Sequence, residues 1–284
     1  MRRAAKGKKL FSHPKNFPDR IYGVDFSGAA NAAKRIWITH GVIKGDSLWI
    51  KDCQRAETML GSVNDRNKCM EALRNFIVRE RTSAFGMDFP FGLPRDLVKE
   101  DSWEDFVLSF PNRYTSAEEF RKVLYTSSCR SELKRTTDRE NQTPFSPYNL
   151  RLFRQTFFGI RDVLFPLVQK NLVCVLPMQK ILPGRTWLLE VCPASTLKRE
   201  HLYSPYKGRT KLHYKARVRI LAWVKAACAV PLPNEVQLAA LEDYNGDAID
   251  SMIATFATFR TLRNRSVIAI PDNNAYMMEG YVYV

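Results

Sequence analysis

Gly23-Val24-Asp25-Phe26-Ser27-Gly28 and Gly86-Met87-Asp88-Phe89-Pro90-Phe91-Gly92 both read Gly-apolar-Asp-Phe. Each closes a run of β character, Arg20 to Phe26 and Ser83 to Phe89, and each leads into turn residues. Side chains alternate across a strand with period two. Gly23 therefore shares a face with Asp25, and Gly86 shares one with Asp88. Each Asp stands at the carboxyl end of its strand, beside a residue without a side chain. Paired as parallel neighbours about 4.8 Å apart, the two strands bring two carboxylates together at the C-terminal edge of a sheet. That is the edge where open α/β folds hold ligands. Carboxylates so close repel unless a proton or a divalent cation lies between them.

Working outward, the first string opens a meander of three strands: Ile21–Phe26, Arg35–His40 and Leu48–Cys53, the last after the turn Lys44-Gly45-Asp46. Residues 65–80 read as a helix with Cys69, Leu73, Phe76 and Ile77 on one stripe, and the strand at 83–89 follows. This order predicts a mixed sheet in an α/β fold: an antiparallel meander, then a crossover to a parallel pairing. Residues 91–148 are polar and punctuated by proline, too long for a bare loop, and read as a partly helical insertion. Leu150, Phe153, Phe157, Ile160, Leu164 and Leu167 predict a core-facing helix over 149–169. Trp187–Cys192 reads as a fifth strand. Helices follow at 209–229, on the stripe Leu212, Ala216, Ile220, Trp223 and Ala227, and at 246–260. The C-terminal Gly280-Tyr281-Val282-Tyr283-Val284 reads as an edge strand or a segment packed across the core. The expectation is one domain over 20–284, preceded by a flexible basic arm over 1–19 carrying Arg2, Arg3, Lys6, Lys8 and Lys9.

The 284 residues carry 44 basic and 29 acidic side chains, a net charge of +15, which points to an anionic partner such as nucleic acid. No apolar run nears the roughly 18–20 residues of a membrane span, and no signal-peptide core is present, so a membrane partner is not expected. Six cysteines form no CxxC pair and the four histidines are scattered, which argues against structural zinc. Thiols in apolar context fit a reducing cytoplasm.

Two further acidic elements join the strand-end pair. Asp247 and Asp250 are three residues apart, on one face of the last helix, with Asn245 expected as its N-cap. Glu190 lies within the apolar strand at 187–192 and must be paired, protonated or bound to a cation. An Arg or a backbone N–H is as good a partner for it as a metal. Carboxylates in such a set suit Mg²⁺ or Mn²⁺, ions that serve phosphodiester cleavage.

The strings around Asp25 and Asp88, Leu189-Glu190-Val191-Cys192-Pro193-Ala194, Asp247-Ala248-Ile249-Asp250-Ser251 and the closing Glu279-Gly280-Tyr281, in this order, resemble the family of unknown function 429, a predicted nuclease group of the ribonuclease H-like superfamily. The resemblance spans about residues 20–284. It implies a ribonuclease H-like mixed five-stranded sheet flanked by helices, with Asp25 on the first strand, Asp88 on the adjoining fourth, and Asp247 and Asp250 on a late helix against that edge. It further implies a metal-dependent nuclease. Asp25, Asp88, Glu190, Asp247 and Asp250 are then the candidate catalytic residues, and Asp25, Asp88, Asp247 and Asp250 the metal ligands. Ser27, Arg130, Arg135 and Arg154 are candidates for holding substrate phosphate, because Arg grips phosphate with two donors. Two other readings stand beside it: an ATP-dependent phosphotransferase of the actin and sugar-kinase type, and a nucleic-acid-binding module without chemistry on the same fold.

Overall fold

The structure, a computed structural model, describes residues 17–61, 65–228, 230–264 and 274–284. The basic arm expected over 1–19 therefore lies, up to residue 16, outside the described residues. The chain opens with β1 (Arg20–Asp25), the short helix α1 (Ala32–Arg35), β2 (Trp37–Lys44), β3 (Ser47–Arg55) and α2 (Ala56–Met59). Helix α3 (Arg66–Arg79), capped by the Asp65 side chain on Lys68 N, crosses to β4 (Ser83–Met87). The insertion then forms α4 (Trp103–Arg113), α5 (Ala117–Ser127) and α6 (Thr136–Glu140). Next come α7 (Phe153–Phe158), a π-helical stretch (Gly159–Leu164) and α8 (Phe165–Gln169). Strands β5 (Val173–Leu176) and β6 (Thr186–Val191) follow. The remainder is α9 (Pro193–Arg199), α10 (Lys211–Ala227), α11 (Asn234–Glu242), α12 (Asp247–Arg263), α13 (Asn274–Glu279) and β7 (Val282–Tyr283).

The sheet is mixed, as expected, with the order β3-β2-β1-β4-β6-β5 and β7 added to β6. β1, β2 and β3 pair antiparallel, whereas β4 is parallel to β1, and β5, β6 and β7 continue the parallel half. It has seven strands where five were expected. Val173–Leu176 is four residues of unbroken apolar chain, too short for period two to show, and Val282–Tyr283 realises in two residues the strand offered as one reading of the C-terminal stretch.

Strand alternation divides the core into two layers. Tyr22, Val24, Phe85, Met87 and Leu188 point into a layer shared with α3 and the insertion. The insertion is more apolar than its composition predicts: Trp103, Phe106 and Phe110 of α4, Tyr114 at its C-cap and Phe120 of α5 share this layer with Phe157, whose ring meets those of Phe110 and Phe120. Ile21, Ala84, Trp187 and Leu189 point into the other layer, dominated by α12. Leu150, expected in the core stripe, is 66% exposed because α7 begins only at Phe153. Leu212 is likewise 77% exposed, and buried Arg217 stands on the inward face of α10 instead. Among the described residues, no helix is long and apolar enough to cross a membrane.

Helix α12 sits unusually close to the sheet, and the two strand glycines are the reason. A Cβ on Gly23 would lie 2.1 Å from Ser251 O, and one on Gly86 would lie 2.0 Å from Thr258 Oγ1. The helix is buried along most of its length, and its inward residues are small: Ser251, Ala254, Thr255 and Thr258. The hydroxyls of Thr255, Thr258 and Thr261 donate to the carbonyls of Ser251, Ala254 and Ala257, so no polar group is stranded there.

Candidate metal centre

In register, Gly23 faces Gly86 and Val24 faces Met87, so Asp25 and Asp88 leave the ends of β1 and β4 side by side. Asp88 N donates to Val24 O, which carries the pairing one step past the strand. Both Asp residues continue the face that holds the glycines, and α12 lies over that face. The helix residues that cover Gly23 and Gly86 are 251 and beyond, so Asp250 arrives beside the two strand-end carboxylates. Ligand oxygens of Asp25, Asp88 and Asp250 all lie within 4.8 Å of one another, a group that can hold a metal ion.

The start of α12 is fixed by its turn. Gly246, not Asn245, stands at the N-cap, with φ of +80°, a left-handed conformation that favours glycine. The capping acceptor is Asp243, whose Oδ2 takes the N–H of Ala248 at 2.9 Å. Asp247 is the first helical residue and is not one of the three clustered carboxylates. It is only partly buried and lies 4.0 Å from Lys207 Nζ, so its role as a ligand is not carried over from the sequence expectation.

Few protein groups answer the triad's charge. Tyr206 OH donates to Asp250 Oδ1 at 2.5 Å, and Lys207 Nζ lies 2.5 Å from Asp250 Oδ2. Among the described residues, no hydrogen-bond donor reaches the carboxylates of Asp25 or Asp88. Burial, and then the nearby Asp250, hold the Asp25 carboxyl well above the ordinary range. The same causes push Asp88 up to about 8, and burial pushes Asp247 up to about 6. Burial opposes the charge on Lys207, but Asp250 and Asp25 outweigh it and keep the ammonium protonated above its usual range.

Tyr206 and Lys207 escape sequence reasoning, since the stretch 200–210 has no helical or strand period. Arg217 holds that stretch in place. Its guanidinium donates to Tyr206 O at 2.7 Å, Gly208 O at 2.9 Å and Leu241 O at 3.0 Å. A signal for it existed: Arg217 falls three residues before Ile220 and seven before Val224, in the middle of an apolar face. Lys211, Lys215 and Arg219, the row apparent from sequence, are exposed.

Glu190 takes the other course left open to it. It pairs in register with Met87 and so points to the face opposite α12, away from the triad's side of the sheet. Arg135 Nη2 and Nη1 reach its two oxygens at 2.5 and 2.8 Å, and Phe91 N donates at 2.9 Å. Burial raises the Glu190 carboxyl even so. Arg135 is itself 1% exposed and also grips both oxygens of Asp138. It is therefore unavailable to substrate, contrary to the expectation from sequence. Of the other proposed phosphate-binding groups, Ser27 Oγ accepts the N–H of Ala29, Arg154 is paired with Glu118 at 2.7 Å, and Arg130 is exposed. Arg130 and Arg154 do not line the cleft beside the triad; Arg151 does.

That cleft has a volume of about 470 Å³ and meets the site at Asp88, Lys207 and Asp250. Comparison with protein-family models, with curated proteins and with solved structures gave no match.

Proposed function

We propose that this chain is a metal-dependent hydrolase of phosphodiester bonds, a nuclease of the ribonuclease H-like kind, with Mg²⁺ or Mn²⁺ as its cofactor. One observation carries the reading: three carboxylates converge at the C-terminal ends of two central parallel strands, largely unneutralised, at the mouth of a cleft. The mixed sheet, with an antiparallel three-strand half and the fourth strand parallel to the first, is compatible with this reading. The meeting of first strand, fourth strand and a late helix at one edge supports it further.

The donor set fits a hard divalent ion, because all three candidates are carboxylates with no His or Cys among them. A divalent ion there would supply charge for the phosphate oxygens and a more acidic water. The chain's own side chains do the rest. Asp25, Asp88 and Asp250 would hold the ion. Tyr206 fixes the orientation of Asp250, and Lys207, half in solvent, pairs with Asp250 where the ion would sit and offers a cation to an arriving phosphate. Arg217 positions both through the backbone. The net charge of +15 draws a polyanion toward a locally acidic site.

The test is calorimetric titration with Mn²⁺ followed by assays on DNA and RNA oligonucleotides. Wild type should bind the ion and cleave; Asp25→Asn and Asp88→Asn should lose both. Wild-type rates in either variant would overturn the proposal.

A further inference from the structure

The cleft beside the triad is of the size that encloses one small ligand, and its about 470 Å³ leave no room for a length of duplex. Its lining joins Asp88, Asp250 and Lys207 to Phe145, Tyr203 and Arg151. The two rings come from separate segments, Phe145 from the insertion and Tyr203 from the connection between α9 and α10. Tyr203 is 50% exposed, so its ring is not there to fill the core. Lys198 Nζ lies 5.3 Å from the centre of the Tyr203 ring, and the Arg151 guanidinium 5.5 Å from that of Phe145.

Accessible rings interleaved with basic side chains are what unpaired nucleic acid requires: a base stacks on the aromatic face while its phosphate meets the cation. A base inside a duplex offers neither of its faces, and it enters an enclosed pocket only after unstacking. The acidic site on the same lining gives such a ligand a direction. Resting on the reading of the triad as a phosphodiester-cleaving centre, we infer that the cleft takes a single unpaired nucleotide. Its base lies against Tyr203 and Phe145, and its phosphate toward Lys207 and the triad. The ligand class is then unpaired nucleotides, met within a single strand as substrate or free as the cleaved product, and not duplex.

Binding is read by fluorescence anisotropy with the wild-type protein in Mg²⁺, on probes whose phosphorothioate linkages hold cleavage off. The probes are a short labelled single strand and its blunt duplex. The single strand should bind at least about tenfold more tightly, because a duplex must first give up a base. Adding Tyr203→Ala or Phe145→Ala should weaken single-strand binding by at least about fivefold, the lower end of one base–aromatic stack. Unlabelled nucleoside monophosphate is then added as competitor. Efficient competition assigns the pocket to free nucleotides, and weak competition assigns it to strands. Equal affinity for single strand and duplex, or unchanged binding in both ring variants, overturns the inference. Mn²⁺ titration of the wild type separates this from failure of the hydrolase reading. Metal bound without strand preference sinks the pocket alone. Tyr203-dependent binding without metal sinks the hydrolase alone.

Discussion

The Asp25–Asp88–Asp250 group and the Glu190–Asp138–Glu279 group border one sheet edge, and members of both line the same cleft. In the second group every carboxylate oxygen has a donor. Arg135 serves Asp138 and Glu190, Phe91 N adds to Glu190, and the backbone N–H groups of Arg95 and Thr136 serve Glu279 at 2.8 and 2.7 Å. In the first group only Asp250 is served, by a tyrosine and by a lysine whose side chain is 51% exposed. The lesson is that acidity near a cleft does not mark a reactive site. A carboxylate whose partners come from its own chain ties segments together, here the insertion, β6 and the C-terminal stretch. Carboxylates left facing one another retain protons, which an external cation can replace.

The sharpest test of this contrast is Arg135→Ala. It strands two buried carboxylates and should cost about 3–5 kcal/mol of stability, read by denaturant unfolding. A loss under about 1 kcal/mol, the scale of an exposed pair, would erase the distinction between the groups. Asp25→Asn and Asp88→Asn should behave oppositely. Each relieves repulsion, so metal-free stability should hold or rise. Hydrolysis should fall by at least about a hundredfold, or about 2.7 kcal/mol of barrier.

Gly86→Ala tests whether close approach of α12 assembles the open group, Asp25, Asp88 and Asp250. Its Cβ would strike Thr258 Oγ1 at 2.0 Å and Ala254 O at 2.9 Å. A cost of about 1–3 kcal/mol is expected, together with weaker Mn²⁺ binding as Asp250 moves away. Unaltered metal affinity would show that the helix has slack.

The pH dependence follows from Asp88. Its carboxyl titrates near 3.8 ordinarily and at about 8 in the fold. The folded state then binds more protons than the unfolded one in that window. Stability in chelator is therefore favoured at low pH and lost as pH rises through the window. The melting temperature of wild type minus that of Asp88→Asn should decline from about pH 4 to about pH 8; a flat difference would refute the assigned charge state. The smallest effect is expected from Lys207→Met. Removing a cation 2.5 Å from Asp250 should tighten Mn²⁺ binding by up to about tenfold, or about 1.4 kcal/mol. Weaker binding would make Lys207 a support for the site instead of a competitor.

Much of the open group was legible because its signals are local. Gly23 with Asp25, Gly86 with Asp88, and Asp247 with Asp250 are spacings within single elements, set by strand and helix periods. The closed group was not legible. Glu190 and Arg135 are 55 residues apart, and no pattern within either segment names the other. Tyr206 and Lys207 lie in irregular chain, whose placement depends on the carbonyls that Arg217 collects.

Local pattern alone sets the elements around the site, the face each Asp takes on its strand, and the bare glycine surface on which a helix could settle. Those follow from backbone geometry, which repeats every few residues. Which carboxylates meet depends on packing between distant segments. Register sent Glu190 to the opposite face, helix placement brought Asp250 in and left Asp247 out, and burial withdrew Arg135 from solvent. Contacts between distant segments set those outcomes, and the free energy of a charge depends on the neighbours that packing gives it.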